Sequence, residues 1–356
     1  MAKKKKKKNI NLLKHYQGFK SYIKGLLFEK VLENLLTKAG YSTNVSGLQV
    51  TRNQKRLHGR GATYDPDFFR QFSLGIPFIN PLVLLLEAKY YNNRVGLKTV
   101  REFLGAYIDI SQFTHINTKK GGNKRYSILF DTRYNYCPVL FSLKGFQRKS
   151  EGFMFAHGIN FISYENSDIM TKIFKRLEEL LAQINFSKLK KEDGALFEKL
   201  DQIVNIPKKA KRQKFNRAYE EFTKYINKVN SLIGVLDFKY PIHILYERNV
   251  SASYTRKLNI IQKKDNLFIL ENTAKRKFGE FSFSKTFLRD YIHYAKKRNF
   301  LDNIFTQIDV VQVKGDAITL RKLRINPESK QQLISQLKTA KQEIEENEED
   351  NSDVIN

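Results

Sequence analysis

Several residue types and segments are rare or missing in this 356-residue chain, and each absence narrows its class. Tryptophan is absent, and Cys137 is the single cysteine, which excludes an intrachain disulfide and a zinc site built from several cysteines. The cysteine usage also favours a reducing compartment, so we expect a cytoplasmic protein. No apolar run reaches the roughly 18 residues of a membrane-spanning helix, and the lysines at 3–8 precede no apolar segment of the kind a signal peptide has.

Familiar nucleotide-binding and hydrolase motifs are also missing. The chain has no GxxxxGK phosphate-binding loop, no Rossmann glycine fingerprint and no recognisable Ser-His-Asp signature. We therefore do not expect ATP-driven translocation by this chain.

Positive charge is what the chain has in excess. Its formal net charge is +28, with 64 Lys and Arg against 36 Asp and Glu. A field of this sign predicts a polyanionic partner, most simply nucleic acid, with DNA favoured. An anionic membrane surface is the alternative partner. However, the sequence has no basic amphipathic segment with a Trp-rich face, so no membrane partner is expected.

One stretch, residues 59–91, combines a buried-strand pattern with converging charges. Residues 81–86 form an unbroken apolar run, which predicts a central strand buried on both faces. Alternation then places Glu87 and Lys89 on one face of its end. Asp65 and Asp67 lie just upstream, and a hairpin through residues 75–80 would bring them beside Glu87. The sequence thus predicts two carboxylates converging with one lysine.

This combination has a clear chemical use. Carboxylate oxygens hold Mg²⁺, which keeps several waters and takes substrate phosphates. Such a metal lowers the pKa of its water and offsets phosphate charge. A lysine beside it can orient the attacking water and stabilise the same charge.

At these residues the chain resembles the PD-(D/E)xK nuclease superfamily of restriction endonuclease-like proteins. The core of the resemblance is Asp67 followed by Glu87-Ala88-Lys89. Its flanks are residues 59–62 (Gly-Arg-Gly-Ala) and 95–101, and residues 138–142 and 152–164 are similar to the closing strand–helix–strand of that fold. The resemblance covers roughly residues 15–185.

The resemblance implies a fold, a reaction and a ligand set. The fold would be an α/β restriction-endonuclease-like core, a central mixed sheet flanked by helices, over residues 15–186. Asp67 and Glu87 would ligate Mg²⁺, with Mn²⁺ as an alternative, and Lys89 would serve the attacking water. Glu29 matches the glutamate that the first helix of many relatives supplies to the metal. Asp65 remains an alternative to Asp67, since the two share a face of an extended segment.

The implied activity is metal-dependent endonuclease cleavage of DNA, in restriction-type antiviral defence or DNA processing. The alternative reading keeps the fold without cleavage, as a nucleic-acid-binding module or an assembly protein. Phosphate contacts are expected from cations that crowd the loop before the aspartates and the start of a helix predicted over residues 97–110. These cations are Arg52, Lys55, Arg56, Arg60, Lys98 and Arg101. For Arg101 a surface salt bridge with a neighbouring acid is the competing interpretation.

Composition divides the chain into five parts. A basic arm at 1–14 precedes the nuclease-like domain at 15–186, whose first helix is predicted over residues 11–39 with Gly40 as its terminator. A lysine-rich linker at 187–214 leads to a second α+β domain at 215–330, beginning with a helix over 215–233. An acidic tail fills 331–356. The second domain carries no catalytic motif, so we expect it to bind the recognition site or a protein partner; a homodimer is left open.

Overall fold

The computed structural model of the protein describes thirteen segments of the chain, and the fold is given for these alone. They are residues 21, 24–42, 57–64, 66–72, 82–112, 134–182, 213–237, 240–247, 257–264, 266–272, 274–298, 300–314 and 317–336. The predicted basic arm, the lysine-rich linker, most of the acidic tail and Asp65 therefore lie outside the described residues.

The first half of the chain forms a five-stranded mixed sheet with strand order β1-β4-β5-β6-β7. Its strands are β1 (Tyr41–Ser42), β4 (Phe68–Phe72), β5 (Leu82–Lys89), β6 (Asn135–Ser142) and β7 (Asn160–Ser163). A separate two-stranded ribbon is made by β2 (Leu57–His58) and β3 (Thr63–Tyr64). The β4–β5 pair is antiparallel, whereas β5–β6 and β6–β7 are parallel. The apolar run that predicted a central strand is thus β5, paired on both sides.

Helices cover both faces of this sheet. They are α1 (residues 24–38), α2 (Leu97–Ser111), α3 (Arg148–Ala156) and α4 (Asp168–Ala182). The even-numbered side chains of β5, such as Leu84 and Leu86, pack with α1 and α4 in one apolar cluster. The odd-numbered Val83 and Leu85 pack with α2 and α3 in another. Alternation along β5 therefore directs Glu87 and Lys89 toward the α2 side.

The end of α1 agrees with its sequence signal. The helix stops at residue 38, and Gly40 has a φ of 96°. That left-handed conformation is the one a helix-terminating glycine supplies without a Cβ clash.

The second half of the chain is a closed barrel of seven strands, ordered β10-β11-β12-β9-β8-β13-β14. The strands are β8 (Val229–Leu236), β9 (Tyr240–Glu247), β10 (Lys257–Lys264), β11 (Leu267–Glu271), β12 (Lys277–Ser282), β13 (Gln307–Lys314) and β14 (Ala317–Ile325). A parallel β10–β14 pair closes it, while the remaining pairs are antiparallel. Helices α5 (Gln213–Lys228), α6 (Lys285–Lys297) and α7 (residues 327–336), with a 3₁₀ turn at Leu301–Asn303, complete this half.

One secondary-structure prediction is wrong. The helix expected over residues 215–233 ends at Lys228, and Val229 begins strand β8. The apolar residues of 229–236 satisfy a helical spacing locally, but antiparallel pairing with β9 and β13 gives them a better burial. Local pattern cannot register those distant partners.

A continuous apolar core joins the two halves. Phe222 and Tyr225 of α5, Val229 of β8 and Leu245 of β9 belong to the same buried cluster as α1 and α4. Glu280 of β12 is fully buried, and its Oε1 accepts hydrogen bonds at 2.7 and 2.8 Å from Ser167 Oγ and Ile169 N, at the start of α4. The halves are therefore packed and hydrogen-bonded together. Among the described residues, no helix has the length and apolarity needed to cross a membrane.

Candidate active site

Three charged side chains predicted from the sequence meet at the end of β5. The Asp67 carboxylate accepts a hydrogen bond from Ala88 N at 2.6 Å through Oδ2. Lys89 Nζ lies 4.0 Å from that same oxygen and donates a hydrogen bond to Glu87 Oε1. The lysine ammonium is thus shared by two carboxylates that come from neighbouring strands.

The sheet register explains this convergence. In the antiparallel β4–β5 pair, Phe68 lies opposite Leu86 and Phe69 opposite Leu85. Asp67 therefore enters β4 beside Glu87, one position beyond the last paired residues. Glu87 and Lys89 are two apart in a strand and share a face. Asp65, the alternative aspartate, lies outside the described residues, so the choice of Asp67 over Asp65 stays a prediction.

The three groups perturb one another because they are partly withdrawn from water. Their side chains are only 17–21% exposed. Burial raises the pKa of the Glu87 carboxyl, and the charge of Asp67 raises it further, while Lys89 offsets only part of this. Burial lowers the pKa of Lys89, but Glu87 and Asp67 outweigh burial and hold that pKa above its usual value. The lysine stays charged, and Glu87 takes up a proton more readily than an ordinary glutamate.

Glu87 and Lys89 border an open cleft of about 240 Å³. Leu85, Glu87 and Lys89 of β5 form one wall, and α2 forms the opposite wall through Thr99, Glu102 and Phe103. Tyr64, Pro66 and Tyr91 contribute to the rim. A group approaching through this cleft would meet the Glu87 and Lys89 side chains directly.

A tight loop fixes the segment that leads to Asp67. The backbone N–H groups of Gly61 and Ala62 donate to the Asp109 carboxylate of α2 at 3.1 and 3.2 Å. Gly59 N bonds Ala62 O at 2.7 Å, and a Cβ on Gly59 would stand 2.1 Å from Asp109 Oδ2. The close approach of the loop to α2 leaves no room for a side chain at Gly59. Asp109 itself was not predicted, because its role depends on a loop about 48 residues earlier in the chain.

These loop hydrogen bonds also shift the pKa of Asp109. The Gly61 N–H is the largest cause that holds the pKa of Asp109 below its ordinary value, with smaller contributions from Tyr64, Ala62 and Arg60. Asp109 therefore remains an anion, and it keeps the loop attached to α2.

The structure places Glu29 away from the trio's side of the sheet. Glu29 belongs to α1, which packs on the even-numbered face of β5, whereas Glu87 and Lys89 project on the α2 side. One turn later on α1, Glu33 pairs at 2.8 Å with the buried Arg70 of β4. The described residues hold no group of three or more His, Cys, Asp or Glu side chains able to bind a metal. The assignment of Glu29 as a ligand rests on the resemblance alone.

Of the six predicted phosphate contacts, three lie in the described part of the chain. Arg60 donates to Gln112 Oε1 at 2.9 Å. Lys98 is 89% exposed at the start of α2 and lies 3.9 Å from Glu102. The Arg101 guanidinium lies over the Phe153 ring of α3, 5.6 Å from its centroid, and it forms no ion pair with an acid among the described residues. Arg52, Lys55 and Arg56 lie outside the described residues.

The Asp67 and Glu87 carboxylates supply the oxygen donors that a hard divalent cation binds. Two carboxylates already share a single cation, the Lys89 ammonium, across the β4–β5 boundary. Mg²⁺ is commonly held by one or two carboxylates, with water and substrate phosphate completing its shell. Asp67 and Glu87 are therefore the residues that would hold such a metal.

Comparisons with known proteins add little. No family model matches the chain, and no curated protein matches it. A solved structure of a protein of unknown function, AF1548, is similar at 12% sequence identity with a TM-score of 0.29. That likeness covers 58% of this chain and 97% of that chain. A TM-score of 0.29 does not indicate a shared fold.

Proposed function

We propose that the protein is a metal-dependent endonuclease that hydrolyses phosphodiester bonds, with DNA as the favoured substrate. It would work in the cytoplasm, in restriction-type defence or in DNA processing. The observation that carries the proposal is the meeting of Asp67, Glu87 and Lys89, with Glu87 and Lys89 in the wall of an open cleft. The resemblance to PD-(D/E)xK nucleases in residues 59–101 supports the same reading.

Each residue of the trio has a distinct task in this proposal. The Ala88 N–H fixes one oxygen of Asp67 and so orients its carboxylate. Glu87 must be deprotonated to offer its oxygens, and its raised pKa makes this step sensitive to mild acid. A bound divalent cation supplies positive charge against the phosphate oxygens. The Lys89 ammonium, released from the carboxylates, holds its protons toward the attacking water or the phosphate.

The net charge of +28 supports a nucleic-acid substrate over a small phosphodiester. Released counterions supply most of the affinity of basic proteins for nucleic acid. Removing one carboxylate should therefore leave binding largely unchanged while removing cleavage.

The decisive experiment measures cleavage and binding separately. Supercoiled plasmid, linear duplex, single-stranded DNA and RNA are incubated with protein in Mg²⁺, in Mn²⁺ and in excess chelator. Glu87→Gln and Lys89→Met should each lower metal-dependent cleavage by about 100-fold or more and leave oligonucleotide affinity nearly unchanged. Glu221→Gln is the matched control, since Glu221 is an exposed glutamate of α5 that pairs with Arg217.

Two outcomes would count against the enzyme. Cleavage by Lys89→Met at the wild-type rate would show that the trio is not catalytic. No metal-dependent cleavage of any of the four substrates, with tight oligonucleotide binding retained, would favour the non-cleaving binding module. In that case the Lys89-bridged carboxylates would be a structural ion-pair cluster.

A further inference from the structure

Helices α3 and α6 lie side by side and join the two halves of the molecule at the surface. Ser284, just before α6, donates a hydrogen bond to the Glu151 carboxylate of α3. Near the other end of the contact, Arg148 lies 3.6 Å from Asp290. We call the outer surface of these two helices the α3–α6 seam.

The seam is strongly basic. Its exposed cations are Arg148, Lys149, Lys285, Arg289 and Lys297. Asp290 is the one exposed acid among the described residues of the two helices, and it already lies within 4 Å of two cations, Arg148 and Arg289. The two helices therefore expose more positive than negative charge, and this surface fits a polyanion.

An aromatic cleft of about 210 Å³ opens at one end of the seam. Its rings come from α3, β7, β9, α6 and the segment that connects β12 to α6: Phe155, Phe161, Tyr240, Phe287 and Phe283. The Phe287 ring is in contact with three of the others, at centroid distances of 5.6, 5.0 and 5.4 Å. Such a cleft is smaller than the roughly 300–1,000 Å³ pockets of drug-sized ligands, so it suits a base-sized planar group and not a whole dinucleotide.

Two large exposed rings belong to the same two helices. The Phe155 side chain is 68% exposed at the cleft, and Tyr294 is 56% exposed on α6. Phe287 and Tyr294 are two turns apart on α6, about 10 Å along its axis. Stacked nucleotides of one strand rise about 3.4 Å each, so the separation matches roughly three nucleotides. Exposed rings interleaved with cations are the composition of single-strand binding surfaces.

We propose that the α3–α6 seam binds single-stranded nucleic acid, with an unstacked base in the aromatic cleft and phosphates along the cations. The occupant is single-stranded because the faces of paired bases in a duplex are already covered by their neighbours. The seam lies next to α2, the helix that forms one wall of the candidate active site. Arg101 of α2 lies over the Phe153 ring of α3. The inference deepens the proposed function, on which it rests for the identity of the bound strand as substrate.

The test is a binding measurement without metal, so it does not depend on cleavage. Fluorescence anisotropy compares a labelled single strand of roughly 16 nucleotides with a duplex of equal length. Phe155→Ala should weaken single-strand binding about tenfold and leave duplex binding unchanged. The exposed Ile261 of β10, 41% exposed, provides the matched control Ile261→Ala.

Charge and stacking can be separated in the same assay. The double variant Arg148→Gln, Lys149→Gln should reduce the slope of log affinity against log salt by about two phosphate contacts, whereas Phe155→Ala should leave the slope unchanged. Lys175→Gln with Lys224→Gln, two exposed lysines of α4 and α5, is the control pair.

The outcomes distinguish this inference from the proposed function. If Phe155→Ala and Tyr294→Ala both bind single strands with wild-type affinity, the proposal that the seam binds single-stranded nucleic acid is wrong. A second outcome would favour a protein partner and refute the proposal. In it, an acidic, tyrosine-containing peptide binds only when Phe155 is present, whereas the oligonucleotide binds equally well without Phe155. If single-strand binding depends on Phe155 but the protein cleaves none of the substrates, the nuclease proposal is wrong and the single-strand binding proposal is retained.

Discussion

The buried Glu151 carboxyl gives the sharpest prediction about stability. Glu151 is 5% exposed between α3 and α6, and Ser284 donates to its Oε1. Among the described residues, its Oε2 has no hydrogen-bond partner. Burial raises the pKa of Glu151 from 4.5 to about 7, despite opposing contributions from Ser284 and Arg94. Asp290 and Glu165 raise it slightly further.

The sign and size of the effect follow from this shift. A group whose pKa is higher in the folded state contributes stability that is complete below its unfolded pKa, here 4.5, and lost as pH rises through about 7. At about 1.4 kcal/mol per pKa unit, the loss across this window is roughly 3 kcal/mol. Above the window, the folded protein carries a buried carboxylate with one unsatisfied oxygen.

His243 opposes this trend and must be separated from it. Its ring is 3% exposed, and burial lowers the pKa of His243 to about 3. A base with a lowered pKa contributes stability above its unfolded value of 6.5 and loses it as pH falls toward about 3. The two residues therefore change stability in opposite directions between roughly pH 4.5 and 6.5, so the wild-type profile alone is uninformative.

The variant Glu151→Gln isolates the carboxyl because it keeps the shape and removes the charge. Urea unfolding of wild type and variant is measured from about pH 5 to about pH 8. We expect the variant to gain stability relative to wild type as pH rises, by up to about 3 kcal/mol. A difference between the two proteins that stays constant across this range would refute the buried-carboxyl reasoning.

Further predictions concern the loop, the join between the halves and the site. Gly59→Ala should lower the free energy of unfolding by about 1–3 kcal/mol and slow cleavage, since its Cβ would meet Asp109 Oδ2 at 2.1 Å. Gly105→Ala is the control: nothing lies within 4 Å of a Cβ at this position on α2, so the substitution should stabilise the protein slightly. Glu280→Ala should destabilise by roughly 2–3 kcal/mol in thermal or urea unfolding, because two donors at the start of α4 lose their acceptor; an unchanged midpoint would contradict its bridging role. A chain that ends after α4 should be insoluble or unfolded by circular dichroism, because the shared core would be opened; a stable, soluble fragment would show that the halves fold independently. The acid limb of cleavage should lie above the ordinary glutamate pKa because burial raises the pKa of Glu87, and a pH–rate profile with an ordinary limb would exclude Glu87 as the controlling group.

Much of the first half could be predicted from local pattern. The apolar run before Glu87 could only be a buried segment, and its shortness and sharp polar end favoured a strand. Gly40 predicted the end of α1, because few other residues adopt a positive φ without steric cost. The alternation of side chains along a strand is sufficient to place Glu87 and Lys89 on one face.

Other expectations failed or were absent for a physical reason. The period of residues 215–233 favoured a helix throughout, yet Val229 starts a strand whose partners lie in β9 and β13. Ser284 stands at the N-cap of α6, where a serine commonly bonds the first turn, but no side-chain capping bond forms and its hydroxyl binds Glu151 instead. In both cases a group distant in sequence offered a more favourable contact than the local one.

The sequence by itself determined the charge, the order of most described strands and helices, and the spacing of the Asp–Glu–Lys set. These follow from composition and from rules that act over a few neighbouring residues. Only the tertiary structure determined three features. These are the hydrogen bonds from the loop at Gly61 to Asp109, the side of the sheet that α1 covers, and the α3–α6 seam with its aromatic cleft. Each of these joins residues far apart in the chain, and such contacts depend on packing and burial that no local pattern encodes.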